Sequence, residues 1–279
     1  MIKIGFIDYF LDEWHANNYP KWFREASEKL GKDLAVAYAW AELDAPPAGG
    51  KTTKEWCEAK GVTACATIDE VCERSDVIVI LSPDNPERHL DYASAVLPYG
   101  KRTYIDKTFA PDYATACRIF EIARAHGTPF FSTSALRYAT ELSALDAPTN
   151  MITAGGGHLS RYIVHQAEMV VAKLGTGDFC VTARKQGPVT LFSVDYENGK
   201  RATMLHAPDF GFQVSLATQE QATPLTAAAS PFFRSLIEDM GRFFLTGEVS
   251  FDPNETLAVM KLIELCLRAE ASPEKPLKM

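Results

Sequence analysis

The run Asp76-Val-Ile-Val-Ile-Leu81 is short, apolar and mostly β-branched, which is the signature of a strand buried on both faces. Ser82-Pro-Asp-Asn-Pro86 breaks it, and residues 87–99 then carry helical spacing. Gly100-Lys101 ends that helix, and Arg102-Thr-Tyr-Ile-Asp106 opens another strand. The cycle repeats with a helix over 112–126, a stop at Gly127 and a strand over 128–132. Strands that alternate with helices commit a chain to a parallel sheet with right-handed crossovers. Lys107 falls just past the carboxyl end of its strand, the edge where open α/β sheets place their ligands.

Upstream, residues 2–8 and 33–40 read as two more strands around a helix over 21–30, whose Trp22, Phe23, Ala26 and Leu30 share one face. Short helices over 51–60 and 68–73 flank a weak strand over 62–67. The pattern changes near residue 140. Ala147-Pro148 and Ala154-Gly-Gly-Gly157 read as linker, followed by a helix over 159–174. Strand-like segments over 179–185, 189–196, 201–207 and 212–218 come next, the middle pair joined by the hairpin signal Glu197-Asn198-Gly199. Helices over 231–245 and 253–271 close the chain. The expected fold is a doubly wound, Rossmann-like parallel α/β domain over 1–135 and an α+β domain with an open, mostly antiparallel sheet over 136–279.

A chain of 279 residues that is 47% hydrophobic has material for two cores. A net charge of −8 argues against a nucleic-acid surface. No apolar run approaches the roughly 20 residues of a membrane span. The first residues enter a strand without a secretory apolar region. Six scattered cysteines with no Cys-x-x-Cys read as reduced thiols in a cytoplasmic protein. No His, Asp or Glu cluster has metal-ligand spacing.

Three motifs carry a family resemblance. Ser82-Pro83-Asp84-Asn85 with His89 is similar to a Thr-Pro-Asn…His loop, Gly100-Lys101…Asp106-Lys107-Thr108 to a Gly-Lys…Glu-Lys-Pro segment, and Arg137-Tyr138 to an Arg-Phe/Tyr pair. Together they resemble the family of glucose–fructose oxidoreductase, inositol dehydrogenase and MocA proteins. The likeness runs, with gaps, over most of the chain. It implies an oxidoreductase that uses NAD or NADP on a sugar, polyol or related hydroxyl compound. It implies cofactor contacts at Phe10, Leu11, Trp40, Ser82, Pro83, Asn85, His89, Asp106 and Lys107, with Lys107 between nicotinamide and substrate. A cation there favours the alkoxide that develops as a hydroxyl is oxidised. The resemblance also implies a homo-oligomer paired through the second sheet. Leu191, Val194, Met204, Val214 and Leu216 are the apolar residues expected on that sheet's open face.

His165-Gln-Ala-Glu168 sits in a helix with imidazole and carboxylate at i, i+3 on one face. A histidine titrates near neutrality and so suits proton transfer to a hydroxyl; it equally suits a surface hydrogen bond. The resemblance makes His165 the acid–base group and Glu168 its orienting carboxylate. Arg137, Tyr138, His158 and Arg161 would line the substrate pocket.

The first strand–helix turn departs from the pattern. The three glycines of Gly-x-Gly-x-x-Gly, which let backbone amides approach a pyrophosphate, fall on Asp8, Phe10 and Glu13. Carboxylates repel a diphosphate by roughly 1 kcal/mol per close pair even in water. His15, Asn17, Asn18 and Tyr19 form a polar patch beside that turn, and residues 12–20 look longer than a phosphate loop. The expectation is weak or rearranged cofactor binding. The alternative is a binding or regulatory protein derived from the family that has lost dinucleotide and redox activity.

Overall fold

The computed structural model describes residues 1–273 and 275–279, and the chain forms two compact units. The first comprises Met1–Thr133 together with Arg234–Asp252. Its sheet contains β1 (Ile2–Asp8), β2 (Leu34–Ala41), β3 (Thr63–Ala64), β4 (Val77–Ile80), β5 (Thr103–Ile105) and β6 (Phe130–Phe131). All are parallel, in the order β3-β2-β1-β4-β5-β6, the doubly wound arrangement expected from the alternating pattern. Helices α1 (Trp14–Leu30), α2 (Thr53–Lys60), α3 (Ile68–Arg74), α4 (His89–Val96) and α5 (Tyr113–His126) make the crossovers. Every residue of β4 is buried, as its unbroken β-branched run requires. Ile7 pairs with Ile80 and Ile80 with Ile105. That register brings Asp8, Leu81 and Asp106 to one edge, with Lys107 following.

Two sequence expectations change here. Helix α1 begins at Trp14, not at residue 21, and runs through Pro20. The polar patch His15–Tyr19 is therefore its first turns, and Glu13 is its N-cap. The helix α7 (Phe232–Thr246), read from sequence with the second half, belongs from Arg234 onward to the first unit. Phe244 stacks 6.1 Å from Phe23, and Phe243 meets Phe131 edge-on at 5.0 Å. Arg102 Nη1 donates to the Phe244 carbonyl at 2.6 Å.

The second unit comprises Ser134–Phe233 and Pro253–Met279. Strands β7 (Asn150–Gly155), β8 (Phe179–Gln186), β9 (Val189–Tyr196), β10 (Arg201–His206), β11 (Gln213–Ala217) and β12 (Thr226–Ala227) form a sheet in the order β12-β11-β7-β10-β9-β8. It is antiparallel except for the β7–β10 pair. Helices α6 (Leu159–Leu174) and α8 (Asn254–Ala271) pack on each other and on the sheet. The stretch read as linker is thus β7, a central strand, with its Gly-rich end turning into α6. Gly156 passes so close to the chain that a Cβ would lie 2.3 Å from the Phe210 carbonyl, which explains a glycine there.

The open sheet face also differs from expectation. Val194, Met204, Val214 and Leu216 are 0–2% exposed and belong to the covered face. Of the five residues named from sequence, Leu191 is the one half-buried, and Leu205 and Ile152 share its face by register. Strict alternation along β9 explains the error: the strand's two faces are both partly apolar, so composition did not say which was outside.

Candidate active site

In the first unit, functional side chains gather where β1, β4 and β5 end. Asp8 is 1% exposed. Its Oδ1 accepts from the Tyr9 amide at 2.7 Å and the Ser82 amide at 2.9 Å, while Oδ2 has no partner. Ser82 takes a left-handed backbone (φ 71°) to present that amide, a conformation that costs a non-glycine residue about 1–3 kcal/mol. Burial first, then the neighbouring Glu13 carboxylate, push the Asp8 carboxyl well above its ordinary value of 3.8. Glu13 accepts from the His15 amide at 2.7 Å and from the Ala16 amide, satisfying the first free donors of α1. His15 is buried, its Nδ1 2.7 Å from Asp106 Oδ2 and its ring stacked on Tyr19 at 5.2 Å. Asp106 also accepts from Tyr104 Oη at 3.1 Å. Burial works to raise the Asp106 pKa, but His15, Lys107 and His89 outweigh it and the carboxylate is held below its ordinary value.

Lys107, half-buried, donates from Nζ to the Pro83 carbonyl at 3.2 Å. Ser82 Oγ donates to the Asn85 carbonyl at 3.2 Å, and the Asn85 side chain donates to Glu87, so the 82–85 turn is braced from within. His89 is wholly buried with its ring nitrogens 2.6 Å and 3.0 Å from the Leu81 and Phe109 carbonyls. Burial lowers its pKa, and the ring ties the end of β4 to the segment after Lys107. Leu11 is buried in the core, so its side chain offers nothing to a ligand. Phe10 is half-buried against Tyr9. Trp40, at the end of β2, is half-buried and meets Tyr92 edge-on at 5.9 Å. Glu42 beside it accepts from Tyr92 Oη at 2.8 Å and pairs with Arg88 at 3.0 Å.

The Asp8 geometry has a measurable consequence. Its folded pKa is raised, so the native state binds the proton more tightly than the unfolded chain. The group's contribution to stability is therefore greatest below 3.8 and is lost as pH rises from that value through the raised one. Asp8→Asn keeps an oxygen for the Tyr9 and Ser82 amides and removes the charge. Thermal unfolding near pH 8 is expected to give a higher Tm for the variant than for wild type, with the gap closing near pH 4. A variant less stable at both pH values would show that the charge is needed.

In the second unit, Ser134 to Tyr138 and α6 build the other candidate cluster. His165, 9% exposed, has Nδ1 2.7 Å from Ser134 Oγ and lies between the rings of Phe212 (5.0 Å) and Tyr162 (5.6 Å). Glu168 accepts the Ser134 amide at 3.1 Å and Arg137 Nε at 2.7 Å. Arg137, 10% exposed at its side chain, also sets Nη2 2.7 Å from Glu255 Oε2. Burial disfavours the guanidinium, yet the two carboxylates raise its pKa further and keep it charged. Glu168 thus reaches the histidine's neighbourhood through Ser134. Arg137 is committed to an internal ion network, which differs from the substrate contact expected of it. Tyr138 is half-buried; His158 and Arg161 are exposed at the start of α6, with His158 Nδ1 2.9 Å from Ser160 Oγ.

Sequence reasoning did not find Ser134, Glu255, the His15–Asp106 pair or the capping role of Glu13. Ser134 and Glu255 carry no local signal. The other two were accessible, because Ala16 and Tyr19 continue the apolar face of Phe23 and Ala26 upstream of Pro20. Among the described residues, no group of three or more His, Cys, Asp or Glu is placed to hold a metal ion.

A dinucleotide fold seats its diphosphate on the amides that open α1. Here the His15 and Ala16 amides already hold a carboxylate, so a diphosphate does not fit that seat as it stands. The 82–85 turn and Lys107, past the ends of β4 and β5, are tied together by the Lys107–Pro83 hydrogen bond.

No protein-family model matches the chain, and no curated protein matches it in sequence. Solved structures do match in fold. GenD2 from gentamicin A biosynthesis, in complex with NAD, has a TM-score of 0.78 at 13% identity and covers 100% of this chain and 96% of its own. An oxidoreductase from Agrobacterium radiobacter, in complex with NAD+, L-tartaric acid and magnesium, has a TM-score of 0.77 at 13% identity, covering 99% and 98%. Apo scyllo-inositol dehydrogenase from Lactobacillus casei has a TM-score of 0.73 at 14% identity, covering 100% and 98%. At these identities the likeness is one of fold, and over its whole length this chain is built on the two-part fold of those oxidoreductases.

Proposed function

We propose that the protein is an oxidoreductase acting on a sugar, polyol or related hydroxyl compound, with NAD or NADP as its cofactor. The observation that carries this reading is Lys107, which follows β5 at the carboxyl edge of the parallel sheet with its ammonium steadied on the Pro83 carbonyl. There it polarises the reacting oxygen and favours the alkoxide. His165 moves the hydroxyl proton, held by Ser134, which Glu168 fixes in turn. Arg137 steadies Glu168. Tyr138, His158 and Arg161 meet the substrate. The open face around Leu191, Leu205 and Ile152 is where copies of the chain would pair, in a cytoplasmic homo-oligomer. Among the described residues no helix is long and apolar enough to cross a membrane.

The Glu13 carboxylate on the α1 amides favours a second reading, a hydroxyl-compound-binding or regulatory protein without a dinucleotide. Calorimetric titration with NAD+, NADH, NADP+ and NADPH, followed by nicotinamide absorbance assays on a panel of sugars and polyols, separates the two. Binding of one cofactor pair with turnover of a panel member is the expected result. Absence of binding at about millimolar cofactor, in a protein that still binds a polyol, overturns the first reading and supports the second.

A further inference from the structure

We infer that Glu13 is a built-in occupant of the diphosphate seat, so that a dinucleotide enters by displacing the Glu13 side chain from the amides of α1. This rests on the oxidoreductase reading above and assigns a competitor within the same site. The amides of His15 and Ala16 point at one carboxylate, and they are the donors a helix N-terminus offers to an anion. An anion from the chain itself satisfies them at no translational cost, so an incoming phosphate gains little unless it replaces that carboxylate.

The exchange is local, because the backbone around Glu13 is fixed independently of its side chain. Asp12 accepts from Asn17 Nδ2 at 2.9 Å and from the Lys51 amide at 2.8 Å, and the Glu13 amide donates to the Leu11 carbonyl at 2.8 Å. The seat also carries signs of an unfinished state. Asp8 Oδ2 and Tyr19 Oη are buried without partners, and each feels the Glu13 carboxylate. Leaving such a group unpaired costs about 1–3 kcal/mol, a cost a permanently closed pocket has no reason to retain.

Charge makes the exchange depend on pH. Glu13 faces Asp8 from β1, Asp106 from β5 and the imidazole of His15 on its own helix. Burial raises its pKa, His15 opposes this, and Asp106 adds to it. A carboxylate pushed out beside a diphosphate is repelled, and a protonated one is not. Cofactor binding therefore takes up protons and weakens as pH rises.

The test uses the full chain and NADH as probe, followed by calorimetry and NADH fluorescence. Glu13→Ser supplies a short cap that leaves the outer face of the amides open. Removing one close charge repulsion is expected to tighten NADH about tenfold or more near pH 8. It should also flatten the pH dependence of NADH binding expected of wild type. In two buffers of different ionisation heat, wild type should show net proton uptake on binding, and Glu13→Ser less. An unchanged Tm for the variant keeps a null result meaningful. If wild type and Glu13→Ser bind NADH equally, with the same pH profile, Glu13 is no competitor, although the oxidoreductase reading survives. If neither binds at about millimolar NADH, both the inference and that reading fail.

Discussion

Lys107→Ala is expected to lower kcat/KM about a hundred- to a thousandfold, the usual cost of removing one donor aimed at a developing oxyanion. The lysine is half-buried and makes its bond to a carbonyl on the neighbouring turn, so its loss should leave the sheet intact. Circular dichroism and Tm close to wild type are expected. The deficit should lie in kcat, because the ammonium acts on charge that appears during the reaction. Lys107→Arg keeps a cation but replaces a compact ammonium with a broad fork, and is expected to recover a small part of the activity. Steady-state kinetics on the substrate found in the polyol and sugar panel make the check. A variant with wild-type kcat removes Lys107 from the chemistry.

The second large effect is expected on stability, at Arg137. Its guanidinium lies between Glu168 and Glu255, and all three side chains are mostly buried. Removing one partner of a buried ion network leaves its counter-charges uncompensated and typically costs about 3–5 kcal/mol. Arg137→Met is therefore expected to lower the unfolding free energy, read from denaturant titration, by an amount of that order. Adding Glu168→Gln should restore part of it, since one stranded charge is then gone. If Arg137→Met unfolds like wild type, the network contributes no stability and the arginine is free to serve a ligand.

These two residues illustrate what the sequence made legible. Lys107 was placed correctly because a buried parallel strand has an unmistakable local pattern, and the residue after such a strand lies at the ligand edge whatever the rest of the chain does. The ion partners of Arg137 are not legible in the sequence, because they lie far along the chain on α6 and α8 and no local pattern reports them. The start of α1 was misread because Pro20 looked like a boundary. The helix tolerates it, and a glutamate rather than a serine or aspartate serves as the cap. Strand β7 was read as linker because its sequence, Asn150-Met-Ile-Thr-Ala-Gly155, runs straight into glycines. Those glycines serve a close approach of chain to chain, a tertiary demand that looks like flexibility when read in one dimension.

The return of residues 234–252 to the first unit has a consequence for how the protein is made. On a ribosome the amino-terminal unit cannot finish when its sixth strand emerges, for Phe23 and Phe131 still await Phe244 and Phe243, and Arg102 awaits the carbonyl of Phe244. Domains normally condense in the order of their synthesis. Here the first-born unit lacks residues 234–252 until residues 134–233 of the second have been translated, and it must wait for them. During that interval an aromatic surface stays open to whatever else is folding nearby. A fragment ending at residue 133 freezes the molecule at that stage, so cutting the chain where its sheets divide does not cut it where its folding does.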